Sequence, residues 1–469
     1  MLFSSMIFIY AFLPILCLLI FISKKEYHNF ILLIASILFY AWGEPKYLAI
    51  MLLTIVINYL GAIGIEKFVN QKKIVFVLTL FANLFSLFYF KYFNFLIENL
   101  NDLYNLDIQV SKIVLPLGIS FYTFQAISYL IDVYKGEVKA QNNFYKLALY
   151  ICLFPQLVAG PIIKYHDIEE QINSREINFE NVSLGVKRFI VGLSKKVLIA
   201  NTMAVIVDKI FLQDPNTFGH GIAWLGAFAY AFQIYFDFSG YSDMAIGLGL
   251  IFGFKFMENF NYPYISKSIT EFWRRWHISL STWFKQYVYI PLGGNKQGLF
   301  KTCRNLGIVF LLTGIWHGAA WNFIIWGLWN GFFIVIEKII NLKEFEQKNN
   351  NLLIKVFQHI YCIAIFTIGW VIFRADNMVY ACSYLMNMFG FLSINPKKIN
   401  YLFDYYVDTT EIAVFIFAIL CCLPIFKNIV NIKNNIAKLL INIWLLILFY
   451  LSTCSIATNT YNPFIYFRF

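Results

Sequence analysis

Leu306-Gly-Ile-Val-Phe-Leu-Leu-Thr-Gly-Ile-Trp-His317-Gly-Ala-Ala-Trp-Asn-Phe-Ile-Ile-Trp-Gly-Leu-Trp-Asn-Gly-Phe-Phe-Ile-Val-Ile-Glu-Lys338 carries no charged side chain before its last two residues. A helix crosses the hydrocarbon core of a bilayer with about 20 apolar residues. This run is too long for one crossing and predicts a bend, or a span plus a re-entrant piece. Residues 221–252 form a second run of the same kind. Outward from these two, apolar runs recur near 2–22, 30–41 with 47–65, 74–97, 113–133, 146–163, 186–211, 353–373, 411–426 and 436–455. Together they predict roughly eleven to thirteen membrane segments. No internal repeat stands out and no linker leads to a separate soluble domain. The expectation is one all-α integral membrane domain over residues 1–469.

Composition agrees. Of 469 residues, 60% are hydrophobic and 13% charged. Soluble domains carry about a quarter charged residues, which excludes an ordinary water-soluble enzyme. Aromatic residues make up 20% of the chain, more than a core needs and suited to lipid-facing and interfacial surface. The net charge of +11 follows from Lys and Arg gathering in cytoplasmic loops and is no sign of nucleic acid. Loop charges alternate: Lys24, Lys25 and Glu26 give +1, Glu66, Lys67, Lys72 and Lys73 give +2, and Glu98, Asp102, Asp107 and Lys112 give −2. That pattern fits an external N-terminus. The eight cysteines sit mostly inside apolar runs and read as small buried hydrophobes. No Cys/His zinc spacing and no glycine-rich phosphate loop is present, so no metal is expected. The first run lacks a basic flank and a small-residue cleavage site, and reads as a retained span.

Residues 254–305 stand apart. Lys255, Lys267, Arg274, Arg275, Lys285, Lys296, Lys301 and Arg304 outnumber Glu258 and Glu271, so this segment supplies +6 of the +11. Phe272, Trp273, Trp276, Trp283, Phe284, Tyr287 and Tyr289 alternate with polar groups. Such a basic, Trp-rich amphipathic stretch lies in the plane of the cytoplasmic interface. Its polar side would meet lipid headgroups or a phosphate-bearing ligand such as coenzyme A.

Of six histidines, His317 lies deepest in an apolar run, beside Gly314, Gly318, Ala319 and Ala320. An ionisable group there is costly, faces a bundle interior or aqueous cavity, and marks function. The small neighbours leave room for a substrate or for another backbone. His277, in Phe272-Trp-Arg-Arg-Trp-His277, could supply the second polar group of an acyl-transfer site. One imidazole would take the proton of an attacking hydroxyl and return it to a leaving thiolate. The other would orient the carbonyl or stabilise the oxyanion. No nucleophile elbow is visible, which favours direct transfer over a serine acyl-enzyme. Asp237 and Asp243, inside an apolar run, should each be paired or hydrogen-bonded.

Four motifs in order, Phe236-Asp237-Phe-Ser-Gly-Tyr-Ser-Asp243, Phe272-Trp-Arg-Arg-Trp-His277-Ile-Ser, Tyr289-Ile-Pro-Leu-Gly-Gly-Asn295 and Thr313-Gly-Ile-Trp-His317-Gly-Ala-Ala-Trp-Asn322, resemble the membrane-bound O-acyltransferase family. Phe39-Tyr-Ala-Trp-Gly43, Leu115-Pro-Leu-Gly-Ile-Ser-Phe-Tyr-Thr-Phe-Gln125, Phe154-Pro-Gln-Leu-Val-Ala-Gly-Pro161 and Gly369-Trp-Val-Ile-Phe-Arg374-Ala375 extend the resemblance along the chain. The resemblance is greatest to the bacterial cell-surface branch that serves alginate and peptidoglycan acetylation. It implies a helical ring around a central tunnel in the inner membrane, with amphipathic and re-entrant helices. It puts His317 at the family's catalytic histidine and His277 where other branches carry an Asn or His partner. It also implies acetyl-CoA as donor, making Arg274 and Arg275 candidates for its phosphates or for lipid. The expected passage beside His317 is hydrated and reachable from both membrane sides.

The ending, residues 456–469, closes on Asn462-Pro-Phe-Ile-Tyr466-Phe-Arg-Phe469. An aromatic tail is ordinarily an interfacial anchor. This one also resembles the C-terminal tyrosine motif of the same branch, which implies that Tyr466 accepts the acetyl group with His317 as base and hands it outward. The expected function is acetyl transfer from cytosolic acetyl-CoA across the inner membrane to an envelope glycan through a periplasmic partner transferase. A residue usage rich in Ile, Asn, Lys and Phe favours peptidoglycan as the acceptor. Alginate or another surface polysaccharide, and D-alanyl transfer to teichoic acid, are the alternatives. A transporter without covalent chemistry would call for the repeats that the chain lacks.

Overall fold

Proline and glycine cut this apolar chain into helices of very different length. The computed structural model describes all residues except 112, 343, 345–350, 393–400, 427–433, 459–460 and 466–469. Every regular element among the described residues is helical. Six helices are long and apolar enough to cross a membrane: Pro45–Lys67, Val69–Tyr104, Phe179–Phe211, Trp321–Ile339, Leu352–Arg374 and Asn435–Thr458. Phe8–Ile22 and Thr409–Cys421 are shorter apolar helices. The protein is all-α and multi-spanning.

The six are the helices of full span length among the described residues; other expected segments form shorter or less apolar helices, such as His28–Gly43 and Ile119–Lys135, and the apolar run at 146–163 is not a continuous helix. It leaves helix after Cys152, resumes for one turn at Phe154–Leu157 around Pro155, then turns extended. The run at 306–338 breaks where expected, at residues 318–320, into Leu299–His317 and Trp321–Ile339. By contrast, the run at 221–252 holds no re-entrant piece and forms one continuous helix, His220–Ile251. Its side chains are buried nearly all round, so protein rather than lipid shields most of its length.

The backbone groups into two compact units. One comprises Met1–Ile190 with Tyr241–Met257, the other Val191–Gly240 with Glu258–Phe469. In the first, buried Asn58 and Asn83 exchange amide hydrogen bonds of 2.8 and 3.2 Å between neighbouring helices. Gly185 and Gly247 bring two backbones together, since a Cβ on Gly185 would lie 2.5 Å from the Gly247 carbonyl oxygen. Close approach at small residues is how helices pack where water supplies no hydrophobic drive. Asp243 accepts from Arg188 at 2.8 and 3.0 Å, as its intramembrane position required.

From Glu258 onward the basic segment lies in the second unit and includes two short helices, Ile269–Arg275 and Ile278–Phe284, separated by Trp276 and His277. Residues up to 305 already belong to the next helix, Leu299–His317. Phe272, Trp273, Trp276, Trp283 and Phe284 are buried, while Arg274, Lys285, Lys296, Lys301 and Arg304 are exposed. Glu337 ties this segment to the Trp321–Ile339 helix. Its carboxylate accepts from the main-chain N–H groups of Ile269 at 2.6 Å and Thr270 at 2.8 Å, donors that a helix start leaves without partners.

Candidate active site

His317 is the last residue of its helix, and Gly318 continues in extended backbone. The small residues around it make room for another backbone. A Cβ on Gly314 would lie 2.5 Å from the Phe323 carbonyl oxygen and 3.1 Å from Gly327 Cα, so the two helices of this hairpin touch there main chain to main chain. The imidazole is 6% exposed. Trp316 and Trp326 lie with ring centroids 4.9 Å away and Phe373 at 5.2 Å, all edge-on. The motif's own Trp316, together with Trp326 and Phe373 from the following helices, encloses the imidazole in aromatic edges.

His277 is fully buried and sits between the two short helices with φ 44° and ψ 55°. This left-handed conformation is uncommon for a residue bearing a Cβ, and tertiary contacts must hold it. Asn259 holds it. Its main-chain carbonyl accepts from Ile278 N–H at 3.0 Å. Its side-chain oxygen accepts from Ser279 N–H at 3.1 Å and Ser279 Oγ–H at 2.9 Å, and lies 3.2 Å from His277 Nδ1. A main-chain N–H can only donate, which identifies the Asn259 atom as the acceptor oxygen. His277 Nδ1 must then carry the proton, leaving Nε2 a bare lone pair. Among the described residues no hydrogen bond meets that Nε2. Burial pushes the imidazole down to about 3, so the ring is neutral at physiological pH.

Aromatic contacts link the two histidines. Phe238 meets His277 edge-on at 4.6 Å, His277 lies 6.0 Å from Trp316, and Trp316 precedes His317. One buried cluster thus contains two imidazoles on either side of an indole.

The family model for MBOAT, the membrane-bound O-acyltransferase family, matches residues 137–342, which include both histidines. A probable alginate O-acetylase AlgI of Pseudomonas putida is 41% identical, with all of both chains covered. This chain belongs to the membrane-bound O-acyltransferase family. A peptidoglycan O-acetyltransferase of Helicobacter pylori is 34% identical over all of this chain and 98% of that one. A teichoic acid D-alanyltransferase of Bacillus subtilis is 32% identical over 46% of this chain and 56% of its own. The chain is an O-acyltransferase and a multi-pass bacterial membrane protein.

In this O-acyltransferase the two candidate donor-binding arginines differ. Arg275 is spent within the fold: it contacts Glu271 at 2.8 and 2.9 Å and donates to the Asn261 carbonyl at 3.1 Å. Arg274 is exposed and available to an anion. Tyr466 lies outside the described residues; residues 461–465 before it are described. Phe464 and Ile465 are buried. Ile465 N–H donates to Asp237 Oδ2 at 2.8 Å, and Asp237 Oδ1 lies 2.8 Å from Lys196 Nζ.

Sequence reasoning missed Asn259, Glu337 and Lys196. Lys196 carried a readable signal, a charge within the apolar run 186–211. Asn259 and Glu337 had none, because their importance comes from partners 18 and 68 residues away.

Proposed function

We propose that this O-acyltransferase takes acetyl from acetyl-CoA on the cytoplasmic side of the inner membrane and passes it, through a periplasmic partner transferase, to an envelope polysaccharide. The observation that carries this reading is the buried His277–Trp316–His317 cluster with one imidazole locked as an acceptor. An attacking hydroxyl oxygen forms a bond to the thioester carbonyl carbon, the C–S bond breaks, and the hydroxyl proton ends on the departing thiolate. His317 is the group that moves that proton. His277, with Nδ1–H committed to Asn259, can only accept at Nε2. It therefore aligns a substrate O–H or N–H and does not stabilise the oxyanion.

The first acceptor is the Tyr466 hydroxyl, whose phenyl ester keeps enough transfer potential to acetylate a second carrier. Full-length likeness extends to both an alginate O-acetylase and a peptidoglycan O-acetyltransferase, with the higher identity to the former. The acceptor is accordingly proposed as an acetylatable envelope polysaccharide, and the residue-usage preference for peptidoglycan gains no support. The test is His317→Ala in cells: surface O-acetylation should fall by about 10²–10⁴-fold at unchanged protein level. Wild-type acetylation would contradict the reading. Tyr466→Phe tests the carrier separately, because it keeps the aromatic anchor and removes only the hydroxyl.

A further inference from the structure

A lysine and an aspartate buried between two helices are stable only if their remaining hydrogen-bonding capacity is used. Lys196 and Asp237 are 3% and 2% exposed. The ammonium has three N–H donors. It lies 2.8 Å from Asp237 Oδ1, donates to Asn201 Oδ1 at 2.8 Å, and donates to the main-chain carbonyl of Pro463. The other carboxylate oxygen of Asp237 accepts from Ile465 N–H. The C-terminal tail thus completes the pair. Without it, one lysine donor and one aspartate oxygen would be left buried without these partners.

Two further contacts fix the register. Asn462 Oδ1 accepts from Asn201 Nδ2 at 3.2 Å. The Tyr461 hydroxyl donates to Asp208, whose other oxygen pairs with the motif residue Arg374 at 3.0 Å. Lys196, Asn201 and Asp208 lie along the Phe179–Phe211 helix. Residues 463, 462 and 461 follow them in reverse order. The main-chain groups of residues 463 and 465 anchor the tail, and the side chains of Tyr461 and Asn462 prevent it from slipping by one position.

We infer that Lys196 and Asp237, aided by Asn201 and Asp208, form a seat for the C-terminal tail and act as positioning residues that fix how far it enters. The residue after the seated Ile465 is Tyr466, and Asp237 immediately precedes Phe238, the ring that packs on His277. The contribution of the seat to transfer rests on the carrier reading of Tyr466, whereas the seat itself does not.

The experiment uses the full-length protein in detergent. Lys196→Met with Asp237→Asn removes both charges at similar volume. Ile465→Pro removes one N–H donor and leaves the helices bearing Lys196 and Asp237 untouched, so it remains informative if the double variant fails to fold. Hydrogen exchange of the remaining tail amides among 461–465 should accelerate about 10–100-fold, the weight of one hydrogen bond to a charged group. Acetyl transfer to the envelope acceptor should fall to the level of Tyr466→Phe, while CoA release with p-cresol supplied as a soluble phenol should persist. A merely destabilised protein would lose that phenol-dependent release as well. Unchanged tail exchange in both variants would overturn the inference. So would faster exchange with undiminished transfer where Tyr466→Phe abolishes it. If Tyr466→Phe transfers normally, the carrier reading fails, and faster exchange in the seat variants still supports the seat.

Discussion

Gly314→Ala adds one carbon where two helices meet. That carbon would lie 2.5 Å from the Phe323 carbonyl oxygen and 3.1 Å from Gly327 Cα. Both are main-chain atoms, so no side-chain rotation relieves the clash and the helices must part. Restoring an ordinary 3.4 Å contact to the oxygen requires a shift of about 0.9 Å. Overpacking of this kind costs about 1–3 kcal/mol. Replacing a helical glycine by alanine returns about 1 kcal/mol of propensity. The net loss of stability is therefore small, and the larger effect falls on His317, one turn further along the same helix. A misplacement of about 1 Å lowers catalysis about 10²-fold. Purified variant and wild type are compared for kcat/KM by CoA release and for Tm by tryptophan fluorescence. Gly307→Ala on the same helix, with nothing within 4 Å of the added carbon, should be silent. If Gly314→Ala keeps kcat/KM within about threefold of wild type, the crossing does not position the histidine and the reasoning fails.

The neutral His277 gives stability an acid limb. Below its ordinary value of 6.5 the unfolded chain binds a proton that the folded site refuses until about 3. Stability therefore falls as pH drops through that window, by about 2 kcal/mol between pH 6.5 and 5. His277→Asn, a residue type that tolerates positive φ, should flatten the Tm profile over this range, and an identical acid shift in both proteins would refute the assignment. Arg274→Ala should raise KM for acetyl-CoA several-fold with Tm unchanged. Arg275→Ala, which breaks the Glu271 and Asn261 contacts, should lower stability by up to about 1 kcal/mol with KM unchanged. Equal effects of the two on KM would show that both arginines face the donor.

Much of the fold was legible because the bilayer demands long uncharged runs, and the break beside His317 followed from a run too long for one span. The unbroken His220–Ile251 helix was not, since a helix buried on all sides shows no period that tells an interruption from continuity. For the site, His317 declared itself as an ionisable group in apolar sequence. The protonation state of His277 did not. It depends on Asn259, an ordinary residue whose side chain becomes decisive only when the fold brings it to Nδ1. Likewise Asp237 was read as needing a partner, but its partners lie in another helix and in the tail, pairings that local pattern does not encode.

The aromatic surroundings of His317, the proposed catalytic ring, bear on how acetyl could leave. A polysaccharide is far too broad to reach an imidazole that is 6% exposed and hemmed by Trp316, Trp326 and Phe373. A slender arm can reach it, and the proposed reaction supplies two. The thioester sits at the end of the flexible pantetheine chain of coenzyme A, and the proposed carrier, Tyr466, would offer a hydroxyl on a narrow ring. Keeping water from both reactive esters favours transfer over hydrolysis. An enclosed site would be a defect in an enzyme that had to admit the glycan itself. In one that passes acetyl between two arms, the same packing that excludes the final acceptor preserves the energy of the thioester for it.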